Sequence, residues 1–249
     1  MESLMPVAGP PVFLVPPGGL TPGVITLAGP EGHHAAAVRR LRTGERADVS
    51  DGAGTLAECV VADVGKDCVT LDVRAVHTVP PPRPRLLVAQ ALAKGDRGEL
   101  AVELMTEVGV DTIIPWAAAR SITKWQAERG AKALAKWRST AREAAKQSRR
   151  AWLPEVTELA TTATLAKRAS TACAIVLEAD APVKLHELPL PETDDILLFV
   201  GPEGGISPAE RATLKDAGAI EARMGPTVLR TSTAGATAAA ILLTKTARW

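Results

Sequence analysis

From residue 85 onward, uninterrupted apolar runs alternate with stretches of helical composition, and this alternation restricts the fold more than any other feature. Leu86-Leu87-Val88-Ala89-Gln90-Ala91-Leu92, Ala174-Ile175-Val176-Leu177-Glu178 and Asp195 to Val200 are strand-length and apolar at successive positions. Strands of that kind bury both faces, which a mostly parallel sheet covered by helices on either side achieves. Between them lie helical patterns. One spans about Gly98 to Val108, with Leu100, Leu104, Met105 and Val108 on one side and Gly109 as its stop. Another covers about Ala127 to Arg149, rich in Ala, Lys, Arg and Glu. Asp111 to Trp116 reads as a further strand. In doubly wound sheets of this type, ligands sit beyond the carboxyl ends of the strands.

Before residue 85 the pattern differs. Val12-Phe13-Leu14-Val15, Val24 to Leu27, Ala47 to Ser50, Leu56 to Val64 and Cys68 to Val76 are β-like runs, with hairpin turns at Asp51-Gly52 and Gly65-Lys66-Asp67. One helix from about His33 to Leu41 interrupts them. The stiff connector Val79-Pro80-Pro81-Pro82-Arg83-Pro84 separates the two patterns. A chain of 249 residues accommodates both parts. We expect a small barrel-like β domain over residues 1–79 and an α/β domain over residues 85–249.

No apolar run is long enough to span a bilayer, and Met1-Glu2-Ser3-Leu4-Met5-Pro6 lacks the basic start and apolar stretch of a secretory leader. Cys59, Cys68 and Cys173 form no close-spaced pair, which suits a reducing cytoplasm and neither a disulfide framework nor a metal site. The net charge of +1 says little, but the charges are segregated. Arg39, Arg40 and Arg42 form one basic cluster, and Lys132, Lys136, Arg138, Arg142, Lys146, Arg149 and Arg150 another. Each is either a phosphate-binding face or a solvated helix face.

Two turns carry the chemical information. The first is Phe199-Val200-Gly201-Pro202-Glu203-Gly204-Gly205-Ile206-Ser207-Pro208-Ala209-Glu210. Gly204-Gly205 permits positive φ and close backbone approach, and Ser207, Pro208 and Glu210 compose a capping box. No Lys-Ser or Lys-Thr follows the glycines, so this is not a P-loop, and the spacing is not that of the dinucleotide fingerprint. The second is Met224-Gly225-Pro226-Thr227-Val228-Leu229-Arg230-Thr231-Ser232-Thr233-Ala234. It combines apolar surface, the fixed charge of Arg230 and three hydroxyls suited to cap the next helix, whose small residues favour a tightly threaded core or a helix interface. Two such apolar-walled loops can hold a purine and a thioether or sulfonium group.

These two turns resemble the knot motifs of the bacterial 16S ribosomal RNA uridine N3-methyltransferases of the SPOUT superfamily. The resemblance continues through Lys94-Gly95-Asp96-Arg97-Gly98-Glu99-Leu100, Thr106-Glu107-Val108-Gly109-Val110, Ala119-Arg120-Ser121, Glu143 to Arg150, His34 and Val38-Arg39-Arg40-Leu41-Arg42. It implies a PUA-like β-barrel for RNA, an α/β domain with a deep trefoil knot, a homodimer, and S-adenosylmethionine held in a bent form by the knot loops. The cofactor residues implied are Leu177, Val200, Gly201, Glu203, Gly204, Gly205, Met224, Gly225, Leu229, Thr231 and Ser232. Arg230 is the implied catalytic residue, stabilising negative charge on a uracil carbonyl oxygen. Arg39, Arg40, Arg42, Lys94, Arg149 and Arg150 are the implied RNA contacts. Two positions depart from the family pattern. Ser232 stands where members often carry Glu, so a carboxylate there is not the base, and Ala145-Lys146-Gln147 stands where they often have Cys-Glu-Gln. No His or Cys lies in either loop to serve as base. Other readings are a SPOUT enzyme acting on another base and a non-catalytic RNA-binding or assembly factor. The tryptophans Trp116, Trp125, Trp137 and Trp152 are expected to be packing anchors.

Overall fold

The computed structural model describes residues 9–249; the leader reading at residues 1–6 lies outside them. The chain divides into two compact units. One contains the described residues up to Pro81 together with Ala145–Leu153; the other is Pro82–Ala144 with Pro154–Trp249.

In the first unit, β1 (Val12–Leu14), β2 (Val24–Leu27), β3 (Arg46–Ser50), β4 (Thr55–Val64) and β5 (Val69–Thr78) form one curled sheet in the order β1-β3-β4-β5-β2. The expected hairpins join β3 to β4 and β4 to β5, while β1 lies parallel to β3. Register shifts between Glu58 and Cys59 and between Val61 and Asp63 bend the long β4–β5 ribbon. The expected helix begins earlier, as α1 (Gly29–His33), and continues as a π-helical turn at His34–Val38. It drops Ala35 onto a core of Phe13, Leu27, Val49, Val61 and Leu71.

The segment Ala145–Leu153 completes this unit from a distance in sequence. Gly54 N–H donates to Ala151 O (2.9 Å), Leu153 N–H to Gly52 O (3.0 Å) and the Trp152 indole to Val79 O (3.0 Å). Lys146 Nζ, buried, meets the half-buried Glu31 Oε1 at 3.1 Å. The α/β part of the chain is therefore discontinuous, unlike the unbroken 85–249 span expected above.

The second unit contains, in chain order, β6 (Leu86–Ala91), α2 (Arg97–Val108), β7 (Thr112–Trp116), α3 (Ala127–Gln147, its last residues in the first unit), β8 (Glu155–Val156), α4 (Thr162–Ala169), β9 (Cys173–Leu177), β10 (Val183–Lys184), β11 (Ile196–Val200), α5 (Pro208–Asp216), β12 (Ile220–Arg223) and α6 (Thr231–Lys245). Its seven strands run parallel in the order β10-β12-β9-β11-β6-β7-β8. Alternation along each apolar run supplies the two faces. Leu86, Val88, Ile196 and Leu198 pack with α2, α3 and α6, whereas Leu87, Ala89, Leu197 and Phe199 pack with α4 and α5. Burial on both sides is why these runs show no polar alternation. Helix α2 stops at Gly109 in the left-handed conformation, as its sequence predicts. The small residues of α6 let it close on α2: Gly235 lies so near Met105 that a Cβ would sit 2.8 Å from its sulfur. The short elements β8, α4 and β10 carry no strong sequence signal.

No helix among the described residues is long and apolar enough to cross a membrane.

Candidate active site

The carboxyl ends of β9, β11 and β12 are neighbours in the sheet, and the two predicted loops leave from β11 and β12. Between them lies a cavity of about 390 Å³. Its wall includes Leu177, Val200, Gly201, Glu203, Gly205, Met224, Gly225, Leu229, Arg230 and Thr231, all singled out by sequence, with Arg97, Glu178, Ile206 and Val228 in addition. Gly204 and Ser232 are not in the wall.

The first loop is shaped by its own sequence. Gly205, not Gly204, adopts positive φ (71°), while Gly204 is set by proximity: a Cβ there would sit 3.3 Å from Arg120 Cβ, and Arg120 donates to the Gly204 carbonyl at 3.1 Å. The capping box is present, with Ser207 Oγ accepting from Glu210 N–H and the Glu210 carboxylate accepting from Ser207 N–H. Glu210 does more than cap. Its carboxylate also accepts from Ala119 N–H and Thr162 Oγ1, both at 2.8 Å, and Trp116 Nε1 donates to Thr162 at 3.1 Å. Burial alone would raise the Glu210 pKa, but these donors outweigh it and hold the carboxyl below its ordinary range. Sequence identifies the cap but not this long-range hub.

The second loop is tied to the first by Thr231. The sequence suggests Thr231, Ser232 and Thr233 as N-cap hydroxyls for α6. In the structure the N-cap position is Arg230, with no side-chain cap. Thr231 Oγ1 instead donates to the Gly201 carbonyl (2.7 Å) and accepts from Gln90 Nε2 (3.0 Å), so it joins both loops to the end of β6. Ser232 is buried in the first turn of α6. Gln90 is fully buried within an apolar run and carries no motif that would flag it.

Arg230 is exposed, and its guanidinium forms no hydrogen bond or ion pair among the described residues. Glu203 is committed: its Oε1 accepts from Lys94 N–H (3.2 Å) and faces Arg97 at 3.6 Å. Lys94, Gly95, Arg97, Ile122 and Glu203 line an adjoining chamber of about 310 Å³, so Arg97 and Glu203 belong to both spaces. Behind the cavity, Arg211 forks onto Glu221 (2.7 and 2.8 Å) and lies 3.7 Å from Glu178. Burial raises the Glu178 pKa despite that neighbouring charge, and the Arg211 hydrogen bonds lower that of Glu221.

Of the predicted RNA contacts, Lys94 lines the chamber described above, and the five arginines separate into two groups. Arg39, Arg40 and Arg42 are exposed and their side chains are unpaired among the described residues, with Arg40 turning the chain at φ 53°. Arg149 and Arg150 are half-buried and directed inward, donating to the carbonyls of Pro10 (2.9 Å) and Trp152 (3.0 Å). Their presence in a basic run gave no sign of this structural use.

A parallel sheet with a loop-walled cavity over neighbouring strand ends defines a ligand-binding α/β domain, here accompanied by a small β unit. The profile of the RNA methyltransferase domain matches residues 80–243, and that of the RNA methyltransferase PUA domain matches residues 27–74. Ribosomal RNA small subunit methyltransferase E of Mycobacterium bovis is 44% identical over 234 residues, covering 92% of this chain and 89% of the relative. Its counterpart from Bacillus subtilis is 30% identical over 220 residues, covering 84% and 85%. The chain belongs to the family of ribosomal RNA small subunit methyltransferase E. Among solved structures, the family member from Neisseria gonorrhoeae bound to S-adenosyl methionine superposes with a TM-score of 0.86 at 26% identity, covering 95% of this chain and 98% of that one. A methyltransferase from Legionella pneumophila in complex with SAM gives a TM-score of 0.86 at 27% identity, covering 96% and 98%.

Proposed function

We propose that this protein transfers a methyl group from S-adenosylmethionine to N3 of a specific uridine in small-subunit (16S) ribosomal RNA, as a cytoplasmic homodimer. The observation that carries the reading is the cavity walled by both loops, with Arg230, unpaired among the described residues, in its wall. Its volume lies within the usual range for cofactor sites. Leu177, Val200, Ile206, Met224 and Leu229 suit adenine and the carbons around sulfur, the backbone of Gly201 and Gly225 suits ring nitrogens, and Glu178 and Glu203 suit a cationic centre. When bound, S-adenosylmethionine supplies an electrophilic methyl group.

The chain's own residues supply position and charge. N3 is masked in a Watson–Crick pair, so the uridine must be unpaired or flipped out. The chamber beside Lys94 and Arg97 receives the uracil, and Glu203 holds that turn in place by accepting from Lys94 N–H. Arg230 stabilises the negative charge that develops on a uracil carbonyl oxygen as the N3 proton leaves. Thr231 keeps the two loops in register. Arg39, Arg40 and Arg42 bind RNA phosphates. The reading of a trefoil knot rests on the resemblance and on the path of α6, which leaves β12 and packs against α2, β6 and β11 on the other side of β9.

The test is methyl transfer from labelled S-adenosylmethionine to small ribosomal subunits and to naked RNA, with the product nucleoside identified by mass spectrometry. N3-methyluridine in subunit RNA supports the reading. Another methylated nucleoside moves the target, and cofactor binding without transfer favours an assembly factor.

A further inference from the structure

We propose that the chamber at Trp125 is a binding subsite for the nucleotide adjacent to the target uridine. This rests on the RNA methyltransferase reading above and extends it to a surface that neither loop motif touches. The chamber measures about 240 Å³ and shares Gly95 with the Lys94–Arg97 chamber, which in turn shares Arg97 and Glu203 with the main cavity. Three spaces thus follow one another, the cofactor cavity, the chamber for the target uracil and the Trp125 chamber, and the last two are placed as two consecutive nucleotides of an extended strand require.

The lining has the composition of a single-stranded nucleic-acid site. Trp125 is half-buried and held edge-on against Trp137, with ring centroids 5.0 Å apart and planes at 79°. Trp137 is the packing anchor expected of it, only 2% exposed, and it fixes the orientation of its neighbour. Gly130 packs against the Trp125 backbone: a Cβ there would sit 3.1 Å from the Trp125 carbonyl carbon and Cβ. Lys124 and Arg129 line the same chamber, exposed and with no side-chain partner among the described residues. Two cations further along α3 are neutralised, Lys136 at 3.0 Å by Glu99, the carboxylate in the chamber wall, and Arg138 by Glu158 at 2.8 Å. An oriented aromatic side chain in one chamber with two unneutralised cations suits one stacked base and its phosphates.

The test uses the full-length protein and a five-nucleotide RNA with a central uridine and 2-aminopurine at one of the two neighbouring positions. Stacking on Trp125 quenches the 2-aminopurine fluorescence of one of the two RNAs. Trp125→Ala should abolish the quenching and weaken RNA binding about tenfold, the equivalent of one lost stack. Trp125→Phe should restore most of both, with S-adenosylmethionine affinity unchanged throughout. Lys124→Glu combined with Arg129→Glu, both on the surface, should weaken binding and reduce the salt dependence of log K by about 1.4, two single-strand phosphate contacts. These two exposed substitutions decide the matter should Trp125→Ala disturb folding. Equal quenching and affinity in wild type and variants would overturn the proposal. So would loss of self-association in Trp125→Ala with RNA affinity intact, because a second copy of the chain would then occupy the chamber. Fluorescence reads the subsite without methyl transfer, so failure of the catalytic reading registers separately in the methylation assay.

Discussion

Thr231→Val isolates the tether between the two loops. Valine keeps the shape of the side chain and removes its hydroxyl, so the 2.7 Å bond to Gly201 and the 3.0 Å bond from Gln90 are both lost. Each is worth about 1 kcal/mol net, and the Gly201 carbonyl stripped of its donor adds about 1–3 kcal/mol. Gln90 Nε2 keeps its bond to Ala91 O at 3.2 Å, and the buried methyl returns about 1 kcal/mol. The expected destabilisation is about 2–4 kcal/mol, or a melting temperature lower by about 4–16 °C for a chain of this size. Because the same hydroxyl aligns both cavity walls, calorimetry should record at least a tenfold loss of S-adenosylmethionine affinity. A second substitution, Gln90→Leu, should cost less in the Thr231→Val background than in wild type, by more than about 0.5 kcal/mol, since its partner is already gone. A stability loss below about 0.5 kcal/mol for Thr231→Val, or strict additivity of the pair, would refute the reasoning.

Arg230→Ala should lower kcat by about 10²–10³-fold, the usual effect of removing one transition-state electrostatic group, with cofactor affinity little changed; full turnover would remove Arg230 from the mechanism. Asp48 is buried with one carboxylate oxygen lacking a partner among the described residues, and burial raises its pKa against the opposing pull of Arg46. A carboxyl whose folded pKa exceeds its unfolded value loses stability as pH rises from about 3.8 through the folded pKa. Asp48→Asn should therefore raise the melting temperature at pH 7 and give no advantage below pH 3.8, measured by thermal scans across pH. Burial and the nearby Asp48 push the Cys59 thiol up to about 11, so at pH 8 about one molecule in a thousand carries the thiolate. Mass spectrometry of briefly alkylated native protein should find Cys68 modified well before Cys59.

Local chemistry was legible where it acted within a few residues. The Ser207–Glu210 capping box, the left-handed stop at Gly109, the turns at Asp51-Gly52 and Gly65-Lys66-Asp67, and the doubly buried runs all follow from short-range sterics and the periodicity of side chains. Most of the cavity wall was legible too, because both loops carry distinctive residues at the ends of apolar runs. What remained hidden depends on partners far apart in sequence. Thr231 resembles a helix cap until Gln90, 141 residues away, offers a better use for its hydroxyl. Arg149 and Arg150 resemble any other members of a basic run until they meet the carbonyls of Pro10 and Trp152. Trp125 and Trp137 have the same sequence signature, yet only one is enclosed.

The return of Ala145–Leu153 to the first unit also sets a timetable for biosynthesis. When Pro81 leaves the translating ribosome, the β sheet lacks the strap that satisfies Gly52, Gly54 and Val79 and that neutralises Glu31 through Lys146. The strap emerges only after roughly seventy more residues, about 4–14 s later at ordinary bacterial elongation rates. During that interval the nascent sheet is incomplete, and a polypeptide released at Pro81 would stay so permanently.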